Sequence, residues 1–471
     1  MTTTAVLLAA GLGTRMKSAV PKALHPIAGR PMLRHLIASC TAAFDRIVVV
    51  AGPGMDALAR AAAPHPVVVQ AERLGTAHAA LQAAGQFGDG DVAVLYADNP
   101  LIRPATLRRL LERRRTSGAA LALLAMRPAD PGRYGRVLTQ VDSMGGDASA
   151  QGGDVERIVG DVERIVGDVE RIVGDVERIV EWADATPAER EVGLCNAGVL
   201  CASAADLLRW LRQVRPSPKG EFYLTDCVAL ARSEGRRVAA VEAPFEELRG
   251  VNSRAELAEA EATVQGWLRR AAMDGGATLT APETVFLSAD TVLAPDVTVQ
   301  PHVVFGPGVR VASGAEIRAF SHLEGCEVGP RALIGPYARL RPGTVVAAGA
   351  HVGNFVELKA THLGAGAKAN HLSYLGDSTV GPGTNIGAGT ITCNYDGYAK
   401  HRTTIGAGVF VGTSAVLVAP VALGDGSFVA AGSVVTKDVA PDAMAFGRAQ
   451  QVDKPGRAAA YRAARAKPAK P

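Results

Sequence analysis

The 471-residue sequence is poor in aromatic residues, which make up 5% of it. Its cores must rest on Ala, Val, Leu and Ile, within a hydrophobic total of 48%. Cysteine is scarce as well. Cys40, Cys195, Cys201, Cys227, Cys326 and Cys393 form no C-x-x-C pair. This argues against a disulfide framework or structural zinc, and it fits a reducing, cytoplasmic setting. Neither charge dominates, since 50 basic and 46 acidic residues leave a formal net charge of +4. A nucleic-acid binder would concentrate basic charge on one face, so no nucleic-acid partner is expected. No apolar run approaches the ~18 residues of a membrane span. The stretch Ala5–Ala10 has the look of a signal-peptide core, but no basic segment precedes it and glycine follows at once. It reads as a buried strand.

Glycine, in contrast, is abundant, at 52 residues. The average share of roughly 7% would supply far fewer, so the excess needs an architectural cause. Residues 1–250 do not provide it. There apolar runs at Ala5–Ala9, Arg46–Val50, Val67–Gln70 and Val92–Tyr96 alternate with helical patterns at Pro31–Ala43, Gly75–Ala84 and Pro104–Arg115. That alternation predicts a mostly parallel sheet covered on both faces, a Rossmann-like α/β domain over residues 1–254. Residues 255–275 follow with Ala, Glu and Leu at helical spacing and a Gly275-Gly276 stop, as a linker helix would.

After about residue 280 the period becomes six. Val328, Ile334, Leu340, Val346, Val352 and Leu358 form one such series. Ile405, Val411, Leu417, Leu423, Val429 and Val435 form a second, with small residues crowded between. Hexapeptide repeats predict a left-handed parallel β-helix over residues 276–471, in which each six-residue step is one face of a triangular coil. This explains the glycine. The register breaks at Cys393–Thr403, which must loop out and is a place for a site. The tail Asp453–Pro471 is Ala-, Pro- and basic-rich and reads as loosely ordered. One oddity stands apart. GDVERIV occurs four times in tandem between Gly153 and Val180. A glycine in every repeat weakens a helix by ~1 kcal/mol, which argues against a coiled coil. The identity of the copies reads as a recent duplication in a loop or hairpin, with no function for the extra copies.

Chemistry is concentrated in two places. Leu8-Ala9-Ala10-Gly11-Leu12-Gly13-Thr14-Arg15-Met16 follows the first strand, with Pro21-Lys22 close behind. Glycines there let backbone N–H groups face phosphate oxygens, while Arg15 and Lys22 neutralise charge. It is neither a dinucleotide fingerprint nor a Walker loop. This string resembles the nucleotide-sugar pyrophosphorylases. The resemblance continues through Gln70-Ala71-Glu72-Arg73-Leu74-Gly75-Thr76, Tyr96-Ala97-Asp98, Tyr134-Gly135-Arg136-Val137, Asn196, Tyr223-Leu224-Thr225-Asp226 and Asn252. It implies a nucleotide site built from Leu8, Ala9, Ala10, Gly11, Lys22, Gln70, Gly75, Thr76, Tyr96, Ala97, Asp98, Gly135, Glu181, Asn196 and Asn252. Asp98 and Asn252 would hold one Mg²⁺, with Arg15 and Lys22 as catalytic cations. Departures are Ala97 for the usual glycine, Asn99 for a Val- or Thr-like residue, and Ala197 for threonine. Glu156, Glu163, Glu170 and Glu177 compete with Glu181 for one role. His78 reads as structural.

In the coil, Gly353–Lys359, His371–Asp377 and Asn385–Thr390 look like the acetyltransferase half of the bifunctional enzymes that make UDP-N-acetylglucosamine. The resemblance implies His371 as general base, with Glu357 as a candidate to orient it. It implies Arg341, Lys359, Tyr374 and Asn385 at the sugar phosphate, and acetyl-CoA along Ala388, Asn394, Tyr395, Thr413, Ala431 and Arg448. Thr413 stands where serine is common. A cytoplasmic homotrimer acting on UTP, acetyl-CoA and glucosamine 1-phosphate is expected, serving peptidoglycan and lipopolysaccharide precursors, without zinc. Two alternatives remain open: a pyrophosphorylase with a purely structural or regulatory coil, and an acetyltransferase with an inactive uridylyltransferase domain.

Overall fold

A computed structural model describes residues 1–11, 13–140 and 175–466. The chain divides into two compact units, Met1–Gly266 and Trp267–Pro471. The first is built on a sheet whose strands lie in the order Val238–Glu242, Leu121–Met126, Cys195–Ser203, Asp91–Tyr96, Thr4–Leu8, Arg46–Ala51 and Val67–Val69. Thr4–Leu8 pairs in parallel with Arg46–Ala51 on one side and Asp91–Tyr96 on the other. Cys195–Ser203 is the antiparallel member. Both faces are buried, as a βα alternation demands. Ala5, Leu7, Val49 and Leu95 join Leu33, Leu36 and Ile37 of helix Met32–Thr41 in one core. Val6, Val48, Val50 and Val94 join Ala77 and Ala80 of helix Thr76–Gln82 in the other. The expected strands and helices are present with ends shifted by a few residues. The site loops leave the strand ends at Leu8 and Tyr96.

Helix Arg254–Asp274 covers the stretch read as a linker, and the division between units falls within it. The second unit stacks short parallel strands into three sheets of ten, eight and eight strands, and successive strands of a sheet are three apart along the chain except at the two ends of the ten-stranded sheet. This is the left-handed β-helix. Every aliphatic of the two six-residue series is buried, at 5% exposure or less. Stacked on their copies above and below, they form a continuous core from Ala277 to Val435. Outward residues of neighbouring strands line up in rows, for example Arg339, Glu357 and Tyr374. The excursion at Cys393–Thr403 is visible in the register, where Val380 pairs with Ile405. Its two limbs are tied by a bridge between Tyr395 and Lys400. In the tail, expected to be loose, Arg457–Ala463 forms a short, fully exposed helix.

Of the tandem repeat, copies one to three lie outside the described residues. The fourth supplies strand Val176–Val180, which pairs with Arg136–Thr139 in the first unit's sheet. The strand buries Val176 and Val180 at its ends and exposes Arg178 between them, as a half-buried strand can. Deleting residues 153–173 removes the other three copies and keeps this strand. The expected outcome is an unfolding midpoint no lower than the parent's, read by scanning calorimetry. A clear drop would show that the deleted copies stabilise the unit.

Candidate functional site

Two cavities open at the strand ends of the first unit. The smaller, about 380 Å³, is lined by Leu8, Ala9, Ala10, Gly11, Lys22, Gln70, Gly75, Thr76, Tyr96, Ala97 and Asp98, together with Arg73 and Tyr223. The larger, about 730 Å³, is lined by Gly135, Glu181, Asn196 and Asn252, with Arg133, Tyr134 and Trp182. Thr76, Tyr96, Asp98 and Tyr223 line both. Arg15 lines neither; it is exposed on the short helix Thr14–Met16.

Two glycines, in different segments, permit close approaches beside the cavities. Gly13 has φ +61°, and a Cβ there would meet Lys22 Cβ at 2.6 Å. Gly75 has φ +104°, and a Cβ there would meet the Phe222 carbonyl oxygen at 2.5 Å. Neither position admits a side chain without displacement. Lys22 packs against Gly13 and lines the smaller cavity. Its ammonium forms an ion pair with Asp98 Oδ2 and donates to Asn252 Oδ1 at 3.0 Å. Gln70 is buried. Its amide nitrogen donates to the Gly75 carbonyl and meets His78 Nδ1, both at 3.1 Å. This leaves the Gln70 amide oxygen as the group it offers a ligand. The amide nitrogens of Gln70 and Gln82 approach the two ring nitrogens of His78, of which one accepts. The unusual Asn99 has a structural partner, since its amide donates to the Leu248 carbonyl at 2.5 Å.

In the coil, Asn354 and His371 are register partners on neighbouring strands. His371 Nδ1 lies 2.9 Å from Asn354 Oδ1. With that oxygen as acceptor, Nδ1 carries the proton and Nε2 keeps the lone pair a base needs. The expectation that Glu357 orients His371 is corrected here. Glu357 is taken by Arg341 at 2.9 Å, one outward row away. Lys359 faces Asp377 at 3.8 Å, and Asn394 donates to the same carboxylate. Tyr374 packs close by: a Cβ on Gly376 would lie 2.5 Å from its hydroxyl. Asn385 sits on the next strand of the His371 sheet, opposite Lys368. One edge of the coil carries a ladder of backbone hydrogen bonds. Gly389 N donates to the His371 carbonyl, Ser414 N to that of Ala388, and Gly432 N to that of Thr413. His371, Ala388 and Thr413 therefore lie along a single edge, with Arg448 beside Gly432 above them.

Two family models match the chain. The MobA-like NTP transferase domain covers residues 5–152, and the bacterial transferase hexapeptide covers residues 402–437. The protein of Gluconacetobacter diazotrophicus named bifunctional protein GlmU is 66% identical over 98% of this chain and 94% of its own. Proteins of the same name from Granulibacter bethesdensis and Acidiphilium cryptum are 63% and 60% identical. They cover 98% and 99% of this chain, and 96% and 100% of their own lengths. The chain belongs to the GlmU family. It is a bifunctional enzyme, a uridylyltransferase and an acetyltransferase.

Within that GlmU framework, several residues at the sites were not singled out from sequence. Arg73 lines the smaller cavity and donates to the Ala10 carbonyl at 2.8 Å. Trp182 and Arg133 line the larger one. Lys400 stands beside Lys359, whose hydrogen bond and like charge hold the Lys400 pKa below the usual lysine range. A lysine inside the loop that breaks the hexads was the available signal. Of the rival glutamates, Glu181 lines the cavity and Glu177 lies on the preceding strand. Glu156, Glu163 and Glu170 fall outside the described residues.

Burial pushes the Glu181 carboxyl above its ordinary range, with Asp184 and Asp226 adding to the effect. A raised carboxyl favours the protonated fold, so this contribution is full at low pH and is lost as pH rises through the folded-state pKa. Glu181→Gln removes that dependence. The variant should melt above the parent at neutral pH, and the gap should close as pH falls toward the ordinary glutamate value of 4.5. Calorimetry across that range checks it.

Proposed function

We propose that each unit carries one step of UDP-N-acetylglucosamine synthesis. The coil moves the acetyl group of acetyl-CoA to the amine of glucosamine 1-phosphate. The first unit moves the uridylyl group of UTP to N-acetylglucosamine 1-phosphate and releases pyrophosphate. The observation that carries the reading is the sharing of Asp98 by the two cavities, with Lys22 bound to it. The nucleotide would fill the smaller cavity, with the Gln70 amide oxygen accepting from the base. The sugar phosphate would fill the larger, contacting Gly135, Glu181 and Asn196.

The sugar phosphate is already an anionic nucleophile, so no protein base is required. Its oxygen forms a bond to the α-phosphorus as the bond to the leaving pyrophosphate breaks. Catalysis is then positioning and charge neutralisation, with Lys22 the cation at the meeting point. The donor set fits a hard divalent cation, because a carboxylate oxygen and an amide oxygen already converge on one cation, the Lys22 ammonium. Asp98 and Asn252 would hold Mg²⁺, which when bound offsets phosphate charge.

On the coil, His371 Nε2 would take a proton from the sugar ammonium. The freed amine attacks the thioester carbonyl, an N–C bond replaces the C–S bond, and the amine's second proton leaves with the sulfur as the coenzyme A thiol. Arg341 and Lys359 would hold the phosphate, with Glu357 fixing Arg341. Tyr374 and Asn385 would hold the sugar. Acetyl-CoA would follow the edge marked by Ala388, Thr413, Ala431 and Arg448, with Asn394 and Tyr395 reaching in from the loop. A homotrimer accords with the hexapeptide repeats. His302, Phe320, Tyr337 and Phe355 support it, because these rings stack at 4.9–5.2 Å on the edge below His371 and are about half exposed from Phe320 to Phe355. The setting would be the cytoplasm.

Purified protein given UTP, N-acetylglucosamine 1-phosphate and Mg²⁺ should release pyrophosphate. Asp98→Ala should lower that rate by about 10²–10³-fold. His371→Ala should lower acetyl transfer by about 10²–10⁴-fold and spare pyrophosphate release. No release from folded protein would remove uridylyl transfer. Intact acetyl transfer in His371→Ala would remove His371 as the base.

A further inference from the structure

We infer that Trp182 touches the acceptor, offering its indole as a platform for the sugar ring in the larger cavity. The inference rests on the uridylyl-transfer reading, because it takes that cavity as the acceptor's. The position is distinctive among the three tryptophans. Trp210 is fully buried in the core of the first unit, and Trp267 lies on the long helix. Trp182 lines a cavity of about 730 Å³. It directly follows Glu181, and both reach that wall from the end of strand Val176–Val180.

Two guanidinium groups hold the ring. That of Arg190 lies 4.5 Å from the ring centroid and that of Arg133 lies 5.2 Å from it. Such contacts fix an indole by its π-face. Arg133 also lines the cavity, as does Lys219. The wall thus joins a large apolar ring to positive charge. A hexose phosphate matches both features, having C–H groups on one face of the ring and an anion at C1. Its hydroxyls would meet the polar groups across the cavity, Glu181 and Asn196. The nucleotide does not explain the tryptophan, because Trp182 is not among the residues lining the smaller cavity with Gln70. An aromatic platform presents area at low conformational cost, so its loss should weaken sugar binding and leave nucleotide binding alone.

The test uses the full-length protein. N-acetylglucosamine 1-phosphate is titrated while tryptophan fluorescence is followed, and KM values are measured for both substrates. The parent should show a saturable change that Trp182→Phe abolishes. Trp182→Ala should raise the sugar-phosphate KM at least about tenfold, equivalent to about 1.4 kcal/mol of lost binding. Its KM for UTP should move less than about twofold, and Trp182→Phe should restore most of the sugar affinity. A fluorescence response that survives in Trp182→Phe, or an unchanged sugar-phosphate KM in Trp182→Ala, overturns the inference. Absence of uridylyl transfer in the parent would instead sink the functional reading. The titration reports on sugar-phosphate binding in either case.

Discussion

The first unit is organised around one ammonium group and the two oxygens that hold it. Lys22, Asp98 and Asn252 come from three distant parts of the chain. Lys22 opens the short helix Lys22–Leu24, Asp98 follows strand Asp91–Tyr96, and Asn252 precedes helix Arg254–Asp274. Backbone contacts fix the last two together, since Val251 N donates to the Asp98 carbonyl at 2.8 Å and Asn252 N to Glu256 Oε2 at 2.6 Å. A carboxylate and an amide oxygen aimed at one point favour a cation there, and the fold supplies its own. The same point divides the two cavities. Phosphate brought to it from either side meets positive charge, and this is the requirement of a transfer between two anions.

The coil solves a different problem. Its inward aliphatics must stack every six residues, which leaves the outward positions free and places them in rows. Chemistry can then be written along a row or an edge without disturbing the core. His371, Ala388 and Thr413 share an edge because the backbone repeats there. Below His371 that edge carries Phe320, Tyr337 and Phe355 in the left-handed conformation, at its level Leu372, and above it Gly389, Ser414 and Gly432. Bulky residues at positive φ are costly, so the lower edge is a place where something other than the local backbone sets the choice. Above the level of His371 the rings give way to Gly389, Ser414 and Gly432 along the same edge.

Much of this was legible in the sequence because it depends on periodicity and order. The two six-residue series named the coil's core residue by residue. The glycine-rich turn, Gln70, Asp98 and Asn252 marked positions that the fold gathers at two adjoining cavities. Side-chain pairing was less legible. Glu357 and Asn354 are both near His371 in sequence, and the register decides between them: Asn354 is opposite His371, while Glu357 is opposite Tyr374. Arg341 and Glu357 could not be paired from spacing either, as two residues meet across strands only once the coil's turn length is known. Trp182 was invisible for a further reason. It follows a repeated segment, and repetition hides which copy enters the fold.

The repeat shows how little of a strand's placement lies in the strand itself. All four copies read GDVERIV, so each would pair with Arg136–Thr139 equally well. What differs is the residue after the closing valine. It is glycine after the first three copies, at Gly160, Gly167 and Gly174, and Glu181 after the fourth. The fourth copy alone delivers a carboxylate to the cavity wall, where a Cβ on Gly135 would stand 3.5 Å from Glu181 Oε2. It alone also delivers an indole for Arg133 and Arg190 to grip. Burying Glu181 opposes this choice, as its raised pKa records, so the favourable part must come from elsewhere. Trp182 beside its two guanidinium partners is one contact that the glycines after the other copies do not offer.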